Sequence, residues 1–309
     1  MSDLTPKHIE SWFNRRGWRD VIVAAPYLWL AAFFLLPFII IVVMSFAKTV
    51  SQTPPFAFLP DFPFVRFDSY SRLFSDSLYI RSSFISLYNA SIATILCLVI
   101  GYPMALGITR VKKSTQRLLL MLVILPFWTS FLLRVYAWIG LMGKNSWFNV
   151  ALTAAYNAVV PSSWEVPSFQ MMNTNCAVVL VMVYSYLPFM ILPLYANLEK
   201  LDSTLNEAAM DLGSKPWQVF KDITLPLSIP GIIAGGLLVF IPASGELIIP
   251  SLVGNAADPM IGRVIQQEFG SNRDWPMASA VAVALLLTLV VPLMLYNYFE
   301  SKAQEKAAP

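Results

Sequence analysis

Residues 196 to 231 read ANLEKLDSTLNEAAMDLGSKPWQVFKDITLPLSIPG, a charged segment held between two stretches without any charge, Val166 to Leu198 and Ile223 to Gly245. Asp202 to Leu212 suits a short helix whose acidic residues fall in its first turns, near the positive end of the helix dipole. Gly213 stops it, because a residue without Cβ adopts the left-handed conformation that a helix C′ position favours. A second short helix is expected with Ser214 as N-cap and Pro216 in its first turn, where the missing N–H does no harm. Leu205, Ala208, Ala209, Leu212, Trp217 and Phe220 then make an apolar and aromatic knob on a hinged helical pair. Read alone, such a pair is an amphipathic hairpin resting on lipid at a membrane face.

The flanking apolar stretches are two of six. Asp20 to Lys48, Ser82 to Thr109 and Trp275 to Phe299 also enclose no charged residue, and Leu118 to Gly143 carries only Arg134. A helix crossing about 30 Å of hydrocarbon needs roughly 20 apolar residues. Transmembrane helices are therefore expected near Val21 to Phe46, Ser83 to Thr109, Leu118 to Leu141, Cys176 to Asn197, Ile229 to Leu252 and Pro276 to Phe299. Composition agrees: 57% of residues are hydrophobic, 13% are charged, and the mean hydropathy is +0.63. A soluble domain carries about 25% charge, so this is an all-α integral membrane protein. The first apolar run is too long for the core of a cleaved signal peptide.

Basic residues orient the spans. Thirteen Lys and Arg lie before the first helix, in the second and fourth loops and in the tail: Lys7, Arg15, Arg16, Arg19, Arg110, Lys112, Lys113, Arg117, Lys200, Lys215, Lys221, Lys302 and Lys306. The opposite loops hold seven, which places both termini in the cytoplasm. The net charge of +3 is dispersed through loops, so no nucleic-acid partner is implied. The outer loops are short. Residues 53 to 64, TPPFAFLPDFPF, suggest an extended, aromatic-packed loop, and 142 to 175 is rich in Asn, Ser and Pro. Neither can bury a core of its own, so a ligand-catching domain must come from another chain.

Most catalytic chemistry is excluded by counting. The single histidine, His8, lies in the polar N-terminal tail, which removes histidine-based metal sites and triads. Cys97 and Cys176 are expected to be unpaired thiols. No GxxxxGK[ST] phosphate loop is present, so ATP must be hydrolysed elsewhere if it is used.

The loop quoted first resembles a family signature. Glu207-Ala208-Ala209, three residues, Gly213, nine residues, then Ile223, Leu225 and Pro226 match EAA-x3-G-x9-I-x-LP of the inner-membrane permeases of binding-protein-dependent ABC importers. The resemblance runs from about Ile80 to Tyr298. It implies a type I ABC importer transmembrane fold and a coupling helix that docks on a separate ATPase through Glu207, Ala208, Ala209, Gly213 and Trp217. The layout becomes a tail over 1–20, a first transmembrane helix over 21–46, a periplasmic loop over 47–79, the ABC transmembrane domain over 80–300 with its coupling loop at 199–228, and a tail over 301–309. The implied partners are an ATPase dimer that binds the ATP and Mg, a second homologous permease, a periplasmic substrate-binding protein and membrane lipid. No cofactor belongs to this chain. The stretches ILPFWTSFLLRVYAWIGLM, YSYLPFMILPLY, LVFIPASGELIIPSLVG and MIGRVIQQEFGSNRDWPMASA are similar to the spermidine/putrescine class of these permeases, most of all its putrescine branch. The outer loop from Lys144 to Asn175 departs from that class in length and in its Ser, Pro and Asn content. Another small cationic or opine-like solute, thiamine or iron is the alternative cargo, and an ion-driven secondary transporter is the alternative machine. The latter predicts broken-helix repeats and several intramembrane ionisable groups.

Only Arg134 and Glu246 are ionisable inside the expected spans. Each costs about 2.5–3.5 kcal/mol at mid-bilayer, so each needs a partner or a cavity. Counted along straight helices, both lie about 24 to 26 Å from the inner face. They form an ion pair with each other, or Glu246 faces the cargo path while carbonyls satisfy Arg134. Tyr136, Trp138, Tyr184 and Tyr186 lie at comparable depth and either line a path suited to ammonium groups or belong to the interfacial aromatic belt.

Overall fold

A computed structural model describes residues 16–50, 53–57, 66–164 and 166–307; His8 and part of the outer loop at 47–79 lie outside them. In chain order the helices are α1 (Arg16–Leu30), α2 (Leu36–Met44), α3 (Asp68–Ser75), α4 (Ser77–Thr109), α5 (Lys113–Ile124), α6 (Phe131–Met142), α7 (Trp147–Asn157), α8 (Asn175–Leu198), α9 (Ser203–Asp211), α10 (Pro216–Val219), α11 (Leu225–Leu227), α12 (Ile229–Ser244), α13 (Ile248–Val253), α14 (Ile261–Gly270) and α15 (Trp275–Ala307). Two short strands, β1 (Lys48–Thr49) and β2 (Phe56–Ala57), pair antiparallel. The chain forms two compact units, Met1–Ser75 with Glu268–Pro309, and Asp76–Gln267.

In the first unit a π-helical turn, Ala31–Leu35, joins α1 to α2, giving an apolar stretch over Ile22–Met44 whose side chains are open to the surroundings. That suits a helix bathed in hydrocarbon, where an apolar surface needs no protein cover. The outer connection is ordered by rings and one carboxylate. Phe46 packs on Phe67 and Tyr70, and Tyr70 shares a hydrogen bond with Ser45. Asp274 accepts from Thr49 Oγ1 at 2.6 Å, from Arg72 at 3.0 Å, and from the N–H of Met277 at the start of α15.

The second unit is built on α4, α8 and α12. Helix α4 turns a row of small residues inward, Ala90, Ala93, Cys97, Gly101 and Ala105, all buried and spaced three or four apart. Small residues let helix backbones approach where no hydrophobic drive exists between helices in lipid. Cys97 accordingly reaches the carbonyl of Val183 on α8. On α12, Gly231 and Gly235 do the same. A Cβ at Gly231 would stand 2.7 Å from Asn197, and one at Gly235 would stand 2.8 Å from the Met190 sulfur and 3.1 Å from the Met190 carbonyl.

Two expected spans are not straight. Leu118 to Leu141 breaks at Thr129 and Ser130, just after Pro126: α5 tightens into a 3-10 turn over Leu125–Trp128, and the limbs Lys113–Trp128 and Phe131–Met142 diverge by 88°. Proline removes a ladder hydrogen bond and clashes with the preceding turn. Ile229 to Leu252 ends at Ser244, and residues 245–247 lead to the separate α13. Among the described residues, the helical stretches long and apolar enough to cross a membrane are Ile22–Met44, Ser77–Thr109 and Asn175–Leu198, with two bent pairs beside them. The Asn-rich outer segment contains the helix α7, which its composition did not announce. Ser146 caps that helix by accepting from Asn149 N. Buried Asn149 bonds the backbone of Phe169 through both N–H and C=O, and Asn157 does the same for Val166.

Candidate functional site

The hairpin of α9 and α10 forms where the sequence places it. Asp202 caps α9, its carboxylate accepting from Thr204 N at 3.0 Å, which holds its pKa below the usual carboxylate value. At the other end Gly213 has φ +88°. The Gly213 N–H bonds the Met210 carbonyl at 2.9 Å and the Ser214 N–H bonds the Ala209 carbonyl at 3.0 Å. This pair of bonds closes a helix with a left-handed residue. The second helix begins one residue later than expected: its N-cap is Lys215, not Ser214, because the Gln218 side chain accepts the Lys215 N–H at 2.8 Å. Pro216 is the first helical residue.

Glu207, Ala208, Gly213 and Trp217 are exposed and Ala209 is half-buried. Leu212 is 89% exposed and Trp217 70%, with Leu205 and Met210 beside them. Phe220 turns inward instead, stacking on Trp217 at 5.3 Å and meeting Tyr102 of α4 edge-on at 5.7 Å. The Tyr102 hydroxyl hydrogen-bonds Ser228 at 2.8 Å, where the chain bends by 63° into α12. Asn206 accepts from Thr224 and joins the two limbs. An exposed apolar face thus projects from the hairpin while its base packs on α4 through Phe220 and Tyr102.

Beside the hairpin a cleft of about 670 Å³ is lined by Arg110, Lys113, Gln116, Glu199 and Glu207 among others. Lys113 donates to Glu199 at 2.6 Å, which with the Tyr195 hydroxyl lowers the carboxyl pKa of Glu199. Gln116, buried, holds the Thr109 and Val111 carbonyls and joins α5 to the end of α4.

The intramembrane charges do not pair with each other. Arg134 donates through Nη1 to the Pro126 carbonyl, and its guanidinium lies 5.2 Å from the Phe127 ring centre and 5.8 Å from that of Phe131. It staples the elbow between α5 and α6. Glu246, 8% exposed, accepts from the Tyr186 hydroxyl through Oε2 and from the N–H groups of Ile248 and Ile249 through Oε1 at 2.9 and 3.4 Å. Between the two charges runs a file of rings: Phe127 meets Phe189 at 5.1 Å, and Phe189 meets Tyr186 at 6.2 Å. Trp138 meets Tyr184 edge-on at 5.4 Å. Tyr136 is 55% exposed and has no ring partner among the described residues. Phe127, Phe131 and Phe189 went unremarked in the sequence, because an apolar ring in an apolar helix carries no signal. Pro126 ahead of Thr129-Ser130 was the available one. With the two charges bonded to separate partners, exchanging them, Arg134→Glu with Glu246→Arg, is expected not to restore uptake lost in either single variant. Recovery in a vesicle uptake assay would require a coupling that this geometry lacks.

Residues 97–304 match the family described as binding-protein-dependent transport system inner membrane component. The spermidine/putrescine transport system permease protein PotB of Haemophilus influenzae is 38% identical over 92% of this chain and 93% of its own length. The protein of the same name from Escherichia coli is 39% identical over 88% and 94%. In fold, the chain is similar to a subunit of a bacterial ABC transporter that imports the acidic polysaccharide alginate, with TM-score 0.69 and 16% identity over 96% of this chain and 99% of that one.

Proposed function

We infer, from the premise that this chain belongs to the binding-protein-dependent transport system inner membrane components, that it is the permease subunit of a polyamine ABC importer. It is a multi-pass inner-membrane protein, and it moves cargo without transforming it. The observation that carries the cargo class is 38–39% identity to spermidine/putrescine permeases along nearly the whole chain. The site's chemistry supports it: a buried carboxylate bonded to Tyr186, whose ring in turn meets Phe189, offers an ammonium both charge and a ring face. Glu246 is the cargo-reading group, and the rings make the path beside it.

The coupling face of Leu205, Met210, Leu212 and Trp217, with Glu207, Ala208 and Ala209, docks into a separate ATPase subunit. ATP binding closes the ATPase pair. The movement passes through Gly213 and the Tyr102 to Ser228 bond to α4 and α12, which rock from inward-open to outward-open. A second homologous permease completes the passage, a periplasmic binding protein delivers the polyamine, and hydrolysis resets the helices. Both termini lie in the cytoplasm, as the basic loops require.

The test is purification of the tagged chain in mild detergent, with identification of its companions and an ATPase assay in reconstituted vesicles. Recovery of an ATPase and a second permease, with hydrolysis stimulated by putrescine- or spermidine-loaded binding protein, is expected. Stimulation by a loaded binding protein only with a non-polyamine cargo would remove the polyamine reading.

A further inference from the structure

We propose that the Tyr186 to Glu246 bond is a latch on the bent segment after α12, opened when an ammonium of the cargo takes the carboxylate. The proposal rests on the reading of Glu246 as a pathway group and adds to it a mechanical role. Helix α12 stops at Ser244, residues 245–247 turn, and α13 starts at Ile248. Glu246 Oε1 accepts the first N–H groups of α13, while Oε2 accepts the hydroxyl of Tyr186 from the middle of α8. One carboxylate therefore fastens the turn to a second helix.

The back of the turn is fixed independently. Gly262 of α14 lies so near that a Cβ there would be 2.5 Å from the Gly245 carbonyl and 2.8 Å from that of Glu246. The first N–H of α14, from Ile261, is held by Ser86 of α4 at 2.7 Å. The contacts behind the turn are backbone and packing. Among the described residues, the Tyr186 hydroxyl makes the one side-chain hydrogen bond from another helix to this turn, and that is the link a ligand can replace. In a site of low polarity a carboxylate binds a full positive charge more strongly than a neutral hydroxyl. An ammonium that reaches the carboxylate displaces Tyr186 and leaves the α13 cap on Oε1 intact. A neutral solute gains nothing from the exchange and leaves the latch shut. Recognition of charge and release of the bent segment thus fall on the same two oxygens.

The experiment uses the complete complex in vesicles and measures ATPase with and without polyamine-loaded binding protein. Tyr186→Phe removes only the hydroxyl. Losing a hydrogen bond to a charged group shifts a two-state balance on the order of tenfold, so cargo-independent ATPase is expected to rise by that order and the ratio of stimulated to basal activity to fall toward one. A purely structural role would lower both activities together and keep the ratio, and an unchanged ratio overturns the latch. If Tyr186→Phe fails to assemble, Glu246→Gln is read for the same ratio, since its amide oxygen still caps α13. The KM for putrescine uptake in Glu246→Gln separately tests the pathway reading. An unchanged KM removes that reading and cargo-driven release with it. A raised KM with an unchanged ratio removes the latch alone.

Discussion

Gly213→Val is expected to abolish coupled uptake in a complex that still assembles, whereas Gly213→Asn retains most of it. A Cβ at position 213 would meet nothing within 4 Å, so crowding is not the cause. The cause is φ +88°. For an L-residue the left-handed region costs about 1–2 kcal/mol, and a β-branched residue is a worse occupant still. Asparagine tolerates it through its short polar side chain. Valine draws the chain back toward negative φ, breaks the bonds from Gly213 N to Met210 and from Ser214 N to Ala209, and changes the angle between α9 and α10. A cost of that size leaves the correct hairpin angle in a minority of molecules, a loss of roughly tenfold or more. Uptake into vesicles and binding-protein-stimulated ATPase, both normal in Gly213→Val, would refute the hinge.

Gly262→Ala is the second large effect. Its methyl would meet two backbone carbonyls, those of Gly245 and Glu246, at 2.5 and 2.8 Å, and backbone cannot step aside as the end of a flexible side chain can. Overpacking of this kind costs about 1–3 kcal/mol. Because the displaced atoms carry the Glu246 turn, uptake is expected to fall along with the thermal midpoint of the purified complex. Gly270→Ala, with nothing within 4 Å of the new methyl, is the control and should leave the midpoint unchanged. Equal midpoints for the two variants would show that the turn is not pinned from behind.

The coupling hairpin was legible because its determinants are local: a carboxylate cap, a glycine at a left-handed position, and a proline in a first turn. The one-residue error at its second cap came from Gln218, whose side chain reaches back to the Lys215 N–H and substitutes for the serine. The apolar runs were equally plain, since hydrophobicity accumulates along the chain. Their bends were not. Apolar residues continue through Pro126 and through Gly245 alike, and proline is tolerated in membrane helices when neighbours satisfy the freed backbone. Depths counted along straight helices placed Arg134 and Glu246 at one level. The elbow and the break instead give each its own partners, a carbonyl with two rings for one and a tyrosine with two amides for the other. Contacts between distant helices leave no periodic trace.

The elbow at Pro126 also constrains how this protein is made. Helix α6 has 12 residues and at 1.5 Å each reaches about 18 Å, well short of the hydrocarbon thickness, so it cannot settle in a bilayer on its own. While the nascent chain is emerging, the stretch from Lys113 to Met142 has not yet met Tyr184, which packs on Trp138, or Phe189, which packs on Phe127. The bent third span is therefore completed only by contacts from α8, which follows it in the chain.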